Sequence, residues 1–311
     1  MIKISMILKN RPGKAVFAVL ALILFLTAVF LCRKPVILVT DRPFTVLYGE
    51  KRARIKQITL SLRLFRRIRT INVAEGAGPD IVAQGAAGLS RRPWAVLFPY
   101  RYRESARQYL QARPGFRVVI LGGRRSPTPG GAEIPEPLWL CTDTETDLYR
   151  AGVLAGIAAR AKADTGGIAL YGEGLGEAEK TAFSRGVAEQ WSGTPLFSPD
   201  PSDAAGIACA VAAGNYHFSR EEAPQTVVLF TWMDPALAPR NTLAVFDDSP
   251  WVQLPLALNF LKTKAIGAEN GAGGLIPSHI TLLGGGKALK KEYIAINSIK
   301  SLNYMGEKAD N

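Results

Sequence analysis

The apolar positions of this chain gather in short continuous runs rather than in alternation, and polar, helix-periodic stretches separate the runs. Pro35–Thr40 (PVILVT), Ala95–Phe98 (AVLF) and Val118–Leu121 (VVIL) are of this kind. Such runs predict strands covered on both faces, as in a parallel sheet. The first run ends at the turn Asp41-Arg42-Pro43-Phe44. From about Thr45 a helix is predicted, because Ile55, Ile58, Leu62 and Phe65 recur at helical spacing. Lys51, Arg52, Arg54, Lys56, Arg63, Arg66 and Arg67 make it a basic amphipathic helix, ending near a strand at Ile71–Val73. Its apolar face is expected to pack on the sheet with its Arg side chains snorkelling; resting on anionic headgroups is the alternative. Glu104–Gln111 reads as a helix stopped by Arg113-Pro114-Gly115, and Arg124–Pro137 as a Pro- and Gly-rich loop.

Beyond a short strand at Leu138–Cys141, the pattern changes at Asp147. A helix of small residues (Ala151, Gly152, Ala155, Gly156, Ala158, Ala159) runs to a break at Thr165-Gly166-Gly167. An apolar strand (Ile168–Tyr171), a Gly-rich turn and a helix with Phe183, Val187 and Trp191 on one face follow. Helix, strand, turn and helix again predict a parallel α/β sheet. Further strands are expected near Pro195–Phe197, Val227–Phe230, Thr242–Phe246, Ile280–Leu283 and Tyr293–Ile296, with a helix near Val252–Leu261.

The order AG–LAG–A, then TG–I, a Gly turn and F-x-x-G-V resembles the basic membrane protein family of extracytoplasmic substrate-binding lipoproteins. Those proteins have type I periplasmic-binding folds. The resemblance implies an α/β architecture of two doubly wound parallel-sheet lobes with an interlobe cleft. It covers most of residues 35–300, through the opening strand with its Asp turn and the later strand ending in VFDDSPW. Family members carry a ligand-contacting aspartate after that later strand, so the resemblance implies this role for Asp247 or Asp248. It implies polar ligand contacts at the first turn, where Asp41 stands. The Phe-Asn pair usual in that turn is replaced by Pro43-Phe44-Thr45, which leaves the family's usual ligands, nucleosides among them, open.

The length of 311 residues suits two lobes. The expected division is a basic tip and apolar helix over 1–34, a first lobe over 35–137, a second over 138–300 with 249–275 returning to the first, and a polar tail over 301–311. Ala15–Leu31 is an unbroken apolar run behind Lys3, Lys9, Arg11 and Lys14. Seventeen residues are at the lower limit for a span. The basic flank keeps its N-terminus in the cytoplasm, which places the globular part outside, tethered to the cell membrane. Cys32 stands where a lipidated cysteine would, but Phe30 and Leu31 before it are bulky, which favours an uncleaved anchor. Cys141 and Cys209 are left either to pair or to stay as buried thiols.

Charge is uneven. Residues 35–125 carry eighteen Lys/Arg against five acids, and residues 126–311 fourteen against twenty-one. The first lobe is therefore expected to face an anionic surface or partner, or simply solvent.

Ligands of open α/β sheets bind beyond the carboxyl ends of strands. Asp41, Asp234, Asp247 and Asp248 follow apolar runs, and carboxylates accept paired bonds from hydroxyls. Phe44, Trp232 and Trp251 lie near them and could stack on a ring. The competing reading is of capping aspartates and core aromatics. Gly172-Glu-Gly174-Leu-Gly176 has the wrong spacing for a dinucleotide fingerprint, and Gly284–Lys287 is incomplete as a nucleotide loop. His217 and His279 are the only histidines, and no nucleophile–base or metal motif occurs. The sequence therefore points to a binding protein rather than an enzyme, without cofactor or nucleic-acid partner. It would close on a small polar ligand for uptake or sensing, with a transporter permease or membrane sensor as partner. A ligand-free scaffold of the same fold is the alternative.

Overall fold

The structure is a computed structural model, and it describes residues 12–123, 137–161, 166–172, 174–198, 206–213, 227–230, 238, 240–263, 275–284 and 296. The chain opens with helix α1 (Pro12–Cys32). The first lobe follows as β1 (Val36–Asp41), α2 (Arg42–Tyr48), α3 (Glu50–Leu64), β2 (Ile68–Val73), α4 (Pro79–Leu89), β3 (Ala95–Pro99), α5 (Arg103–Ala112), β4 (Val118–Leu121) and β5 (Leu138–Thr142). Next come α6 (Thr144–Arg160), β6 (Gly167–Tyr171), α7 (Glu177–Ala188), β7 (Leu196–Ser198), β8 (Ile207–Ala212), β9 (Val227–Phe230) and β10 (Thr242–Asp247). The last elements are α8 (Pro250–Thr263), β11 (Leu275–Ile276) and β12 (His279–Leu282).

Two six-stranded sheets result, in the orders β11-β5-β4-β3-β1-β2 and β12-β10-β9-β8-β6-β7. Every pairing is parallel except β10 with β12. All six positions of β1 and of β10 are buried, as strands covered on both faces require. The core divides by sheet. One cluster joins Val36, Leu38, Leu97 and Leu121 to Trp251, Leu254 and Leu258 of α8, so α8 packs on the first sheet. Another joins α6 and α7 to the second sheet.

Helix α6 is buried on nearly every side. Its glycines are there for close approach: a Cβ on Gly152 would stand 2.4 Å from the Phe183 carbonyl of α7. Gly186 of α7 is equally tight, 2.1 Å from the Tyr149 carbonyl.

Three sequence expectations about the fold are corrected. The second lobe does not begin at 138: Leu138–Leu140 pair with β4, and the strand is an inner one of the first sheet. The apolar stripe of α3 does not pack on the sheet. Ile55, Ile58 and Leu62 are 55%, 53% and 67% exposed, and Leu60 is the residue turned inward. Gly49, at φ 87°, separates α2 from α3 where one helix was expected. The expected strand at 293–296 lies almost wholly outside the described residues.

Among the described residues no helix is long and apolar enough to cross a membrane. Helix α1 nonetheless leaves its apolar side chains bare, with Phe17 74% and Leu24 69% exposed. It touches the first lobe through Phe30, whose ring lies 5.6 Å from that of Phe65.

Candidate functional site

Three segments carry the chain between the two sheets: Thr142–Thr144, Asp247–Pro250 and Ile276–His279. They are bonded to one another. The Asp143 amide donates to the Ile276 carbonyl at 2.9 Å. The Thr142 hydroxyl donates to Asp248 Oδ2 at 2.8 Å, and Gln253 Nε2 donates to that hydroxyl. Asp143 caps α6, accepting from the Thr146 amide at 3.1 Å and from its hydroxyl at 2.8 Å.

A buried ion pair ties α6 to the third crossing. Asp147 and Arg150 are each 1% exposed, with Arg150 Nη1 3.1 Å from Asp147 Oδ1. The Ser278 amide and hydroxyl both donate to the Asp147 carboxylate, and Arg150 Nη1 donates to the Ser278 carbonyl at 3.0 Å. Burial pushes the Asp147 carboxyl up to about 7; Arg150 and the Ser278 donors pull it down, and the charge of Asp248 adds a smaller upward push. The sequence reading missed this network. Its signal is a pair of opposite charges three residues apart on a helix otherwise made of small and apolar residues.

Of the expected ligand-binding residues, Asp41, Asp247 and Asp248 stand at carboxyl ends of β1 and β10. Asp41 is an N-cap: Oδ1 accepts from the Phe44 amide at 2.7 Å. Its Oδ2 accepts from the Tyr102 hydroxyl at 3.0 Å and pairs with Arg101 at 2.6 Å. Burial first, then the Asp41 charge, pushes the Tyr102 phenol up to about 12, so it stays a donor. Beside this pair, Asn72 Oδ1 accepts from the Thr40 and Thr45 hydroxyls. Arg101 is 48% exposed and Asn72 is exposed, so both present polar atoms outward.

Asp247 joins the lobes directly. Its Oδ1 accepts from the Ser249 amide at 2.9 Å, and Oδ2 pairs at 3.3 Å with Arg52 of α3, which stacks 4.1 Å over the Tyr48 ring. Burial raises the Asp247 carboxyl above its ordinary value, against the pull of Ser249 and Arg52. Asp248 is half-buried at the crossing.

Phe44 and Trp251, expected to stack on a ring, are placed elsewhere. They are 4% and 3% exposed and belong to the first-lobe core, where Phe44 lies 5.3 Å from the Tyr48 ring. Apolar burial on two faces outweighs presentation to a cleft. Trp232, Asp234 and His217 lie outside the described residues. His279 is exposed on β12. Cys141 and Cys209 are buried in different sheets, and Cys32 is exposed. Among the described residues no group of His, Cys, Asp or Glu could hold a metal.

No protein-family model matches the sequence, and no curated protein does. Solved structures resemble it in fold. An ABC transporter system solute-binding protein from Conexibacter woesei DSM 14684 has a TM-score of 0.58 at 14% identity, over 88% of this chain and 97% of that one. A transcriptional activator of the comK gene from Bacillus halodurans also reaches 0.58, at 10% identity, over 86% and 97%. An ABC transporter periplasmic solute-binding protein from Actinobacillus succinogenes 130z, with bound D-allose, scores 0.50 at 12% identity, over 84% and 100%. The likeness assigns an α/β fold of the type I periplasmic-binding kind, and at these identities it reaches no further than the fold.

Proposed function

We propose that this chain is a membrane-tethered, extracytoplasmic solute-binding protein that closes on a small, hydroxyl-rich ligand of the sugar or nucleoside class, for uptake through a permease or for sensing. A divergent relationship to the basic membrane protein family is part of this reading, as is the absence of catalysis. One observation carries it: the Asp247–Asp248 pair sits on a crossing between the lobes, with Arg52 of the first lobe already reaching Asp247. A hydroxyl-bearing ligand there meets acceptors and a cation drawn from both lobes, which ties binding to closure. The Asp41–Arg101 pair and Asn72 offer the same mixture of acceptor and donor at the end of β1 and β2. Solute-binding neighbours, one holding D-allose, support the ligand class.

The tether reading rests on the bare apolar side chains of α1 and on Lys3, Lys9, Arg11, Lys14, Arg33 and Lys34 around the run. A run at the short limit is accommodated when such flanking cations snorkel to the interface.

Native mass spectrometry of protein purified gently from cells, followed by a thermal-shift screen of sugars, nucleosides and amino acids, tests the ligand. Ligand at about 100 times its dissociation constant adds roughly 2.7 kcal/mol, a rise of several degrees. Asp248→Ala is expected to abolish that rise while leaving the unliganded melting temperature within a few degrees. Full affinity in both Asp247→Ala and Asp248→Ala removes the site.

A second reading, a ligand-free scaffold at the membrane, draws on a specific observation. Asp41 and Asp247 have both carboxylate oxygens engaged by the protein's own donors. A clean apo mass and a flat screen would select it.

A further inference from the structure

Two features of the first lobe have no part in ligand binding. The first is a cavity of about 320 Å³ lined by Lys34, Arg92, Pro93, Trp94, Phe116 and Arg117. Lys34 is two residues past the end of α1. The cavity lies at the amino ends of β1, β3 and β4, opposite the candidate cleft; the Trp94 amide donates to the Pro35 carbonyl at 2.7 Å. Two guanidinium groups approach the Trp94 ring, Arg66 at 4.7 Å and Arg117 at 5.0 Å from its centroid. Among the described residues no carboxylate pairs with Lys34, Arg66, Arg92 or Arg117. Burial and the like charges of Arg33 and Arg117 push the Arg66 guanidinium down, so this cluster carries self-repulsion that an anion relieves.

The second feature is the outer face of α3. Ile55, Ile58 and Leu62 form an exposed apolar stripe, flanked by exposed Arg54 and Arg63. A helix with bare apolar side chains between basic ones suits the boundary between headgroups and acyl chains. Its carboxyl end joins α1 through the Phe30–Phe65 contact, and Arg33 lies 5.0 Å over the same Phe65 ring.

We propose that the first lobe rests on an anionic bilayer surface, with the Lys34–Arg92–Arg117 cavity taking the phosphate of a lipid headgroup and the Ile55–Ile58–Leu62 stripe of α3 lying at the interface. Charge complementarity and the direct continuation of α1 into Lys34 name the occupant. The excess of Lys and Arg over acids in residues 35–125 is then a footprint facing the membrane. The proposal rests on the tether reading for its orientation, and the test separates the two.

Full-length protein bearing Cys32→Ser and Ile58→Cys is labelled at residue 58, since Cys141 and Cys209 are buried. It is reconstituted with liposomes of phosphatidylcholine alone or with phosphatidylglycerol, using brominated acyl chains as quencher. Flotation reports the tether, and quenching reports docking. Flotation on both lipids with at least about twofold stronger quenching on phosphatidylglycerol is expected, falling in about 0.5 M salt as screening shortens the charge interaction. Arg92→Gln/Arg117→Gln and, separately, Leu62→Glu are expected to lose the quenching while still floating. Flotation with an unquenched label overturns docking and keeps the tether. Flotation on phosphatidylglycerol only, with quenching, supports docking and overturns the tether. No flotation on either overturns both. A label shielded without lipid as protein concentration rises gives the stripe to a second copy and overturns the proposal.

Discussion

Removing the Asp147 carboxylate is the sharpest test of how the lobes are held. In Asp147→Ala the guanidinium of Arg150, 1% exposed in the native chain, loses its carboxylate partner while keeping the Ser278 carbonyl and its place over the Phe246 ring, 5.8 Å from the centroid. The Ser278 amide and hydroxyl lose their acceptor. Breaking one partner of a buried pair costs about 3–5 kcal/mol, and stranded donors about 1–3 kcal/mol each, terms that overlap because they share one network. The expected loss is therefore about 4 kcal/mol at about pH 8, where the carboxylate is ionised. Asp147→Leu/Arg150→Met removes both charges and fills a similar volume with apolar atoms, so it is expected to lose no more than about 2 kcal/mol. Urea unfolding of the full chain in mild detergent, followed by tryptophan fluorescence and circular dichroism, reads both. A single-variant loss under about 1 kcal/mol, or equal losses in the single and double variants, refutes the reasoning.

Two other predictions concern stability. Gly186→Ala forces a Cβ to 2.1 Å from the Tyr149 carbonyl, a backbone atom that cannot swing aside, so a loss of about 2–3 kcal/mol is expected in the melting curve. Gly88→Ala, in α4 with open space around it, is expected to gain about 0.5–1 kcal/mol instead; the same sign for both glycines would sink the packing argument. The pH dependence follows from Asp147, raised from 3.8 to about 7 by burial. Between those values the folded chain holds a proton that the unfolded chain has released, so stability falls as pH rises through the window and levels off above it. Asp247, also raised by burial, carries the same sign. Urea midpoints across that range should fall in the native protein and fall less in Asp147→Leu/Arg150→Met; parallel slopes would remove Asp147 as the cause.

The central strands were legible because β1, β3 and β4 are buried on both faces and so read as unbroken apolar runs. The α6–β6–α7 module was legible for the same reason, with its close-packing glycines. Helix α4 was not, because Gly85 and Gly88 dilute its pattern; Gly85 is where the Ile71 side chain approaches. Strand β8, IACAVA, is too short and too rich in alanine to tell from a helix segment by periodicity. The place of β5 was hidden because its partners β4 and β11 are non-local: sixteen residues separate it from one and more than 130 from the other. At the site, position in the chain marked Asp41, Asp247 and Asp248 as strand-end residues. It could not tell that Phe44 and Trp251 face the core, because a helix that packs on a sheet just past a strand end buries the same residue types that a cleft displays.

The threefold crossing also sets an order of events during synthesis. The first sheet needs β11, at residues 275–276, and the second needs β12, at 279–282. Helix α8, which fills the first-lobe core, lies at 250–263. Neither lobe can therefore complete itself from a leading stretch of nascent chain. Until the last segments emerge, the apolar faces of β4 and β5 lack part of their cover, so the polypeptide stays unfinished for most of its production. A chain severed between β5 and α6 leaves two fragments that must find each other before either is whole.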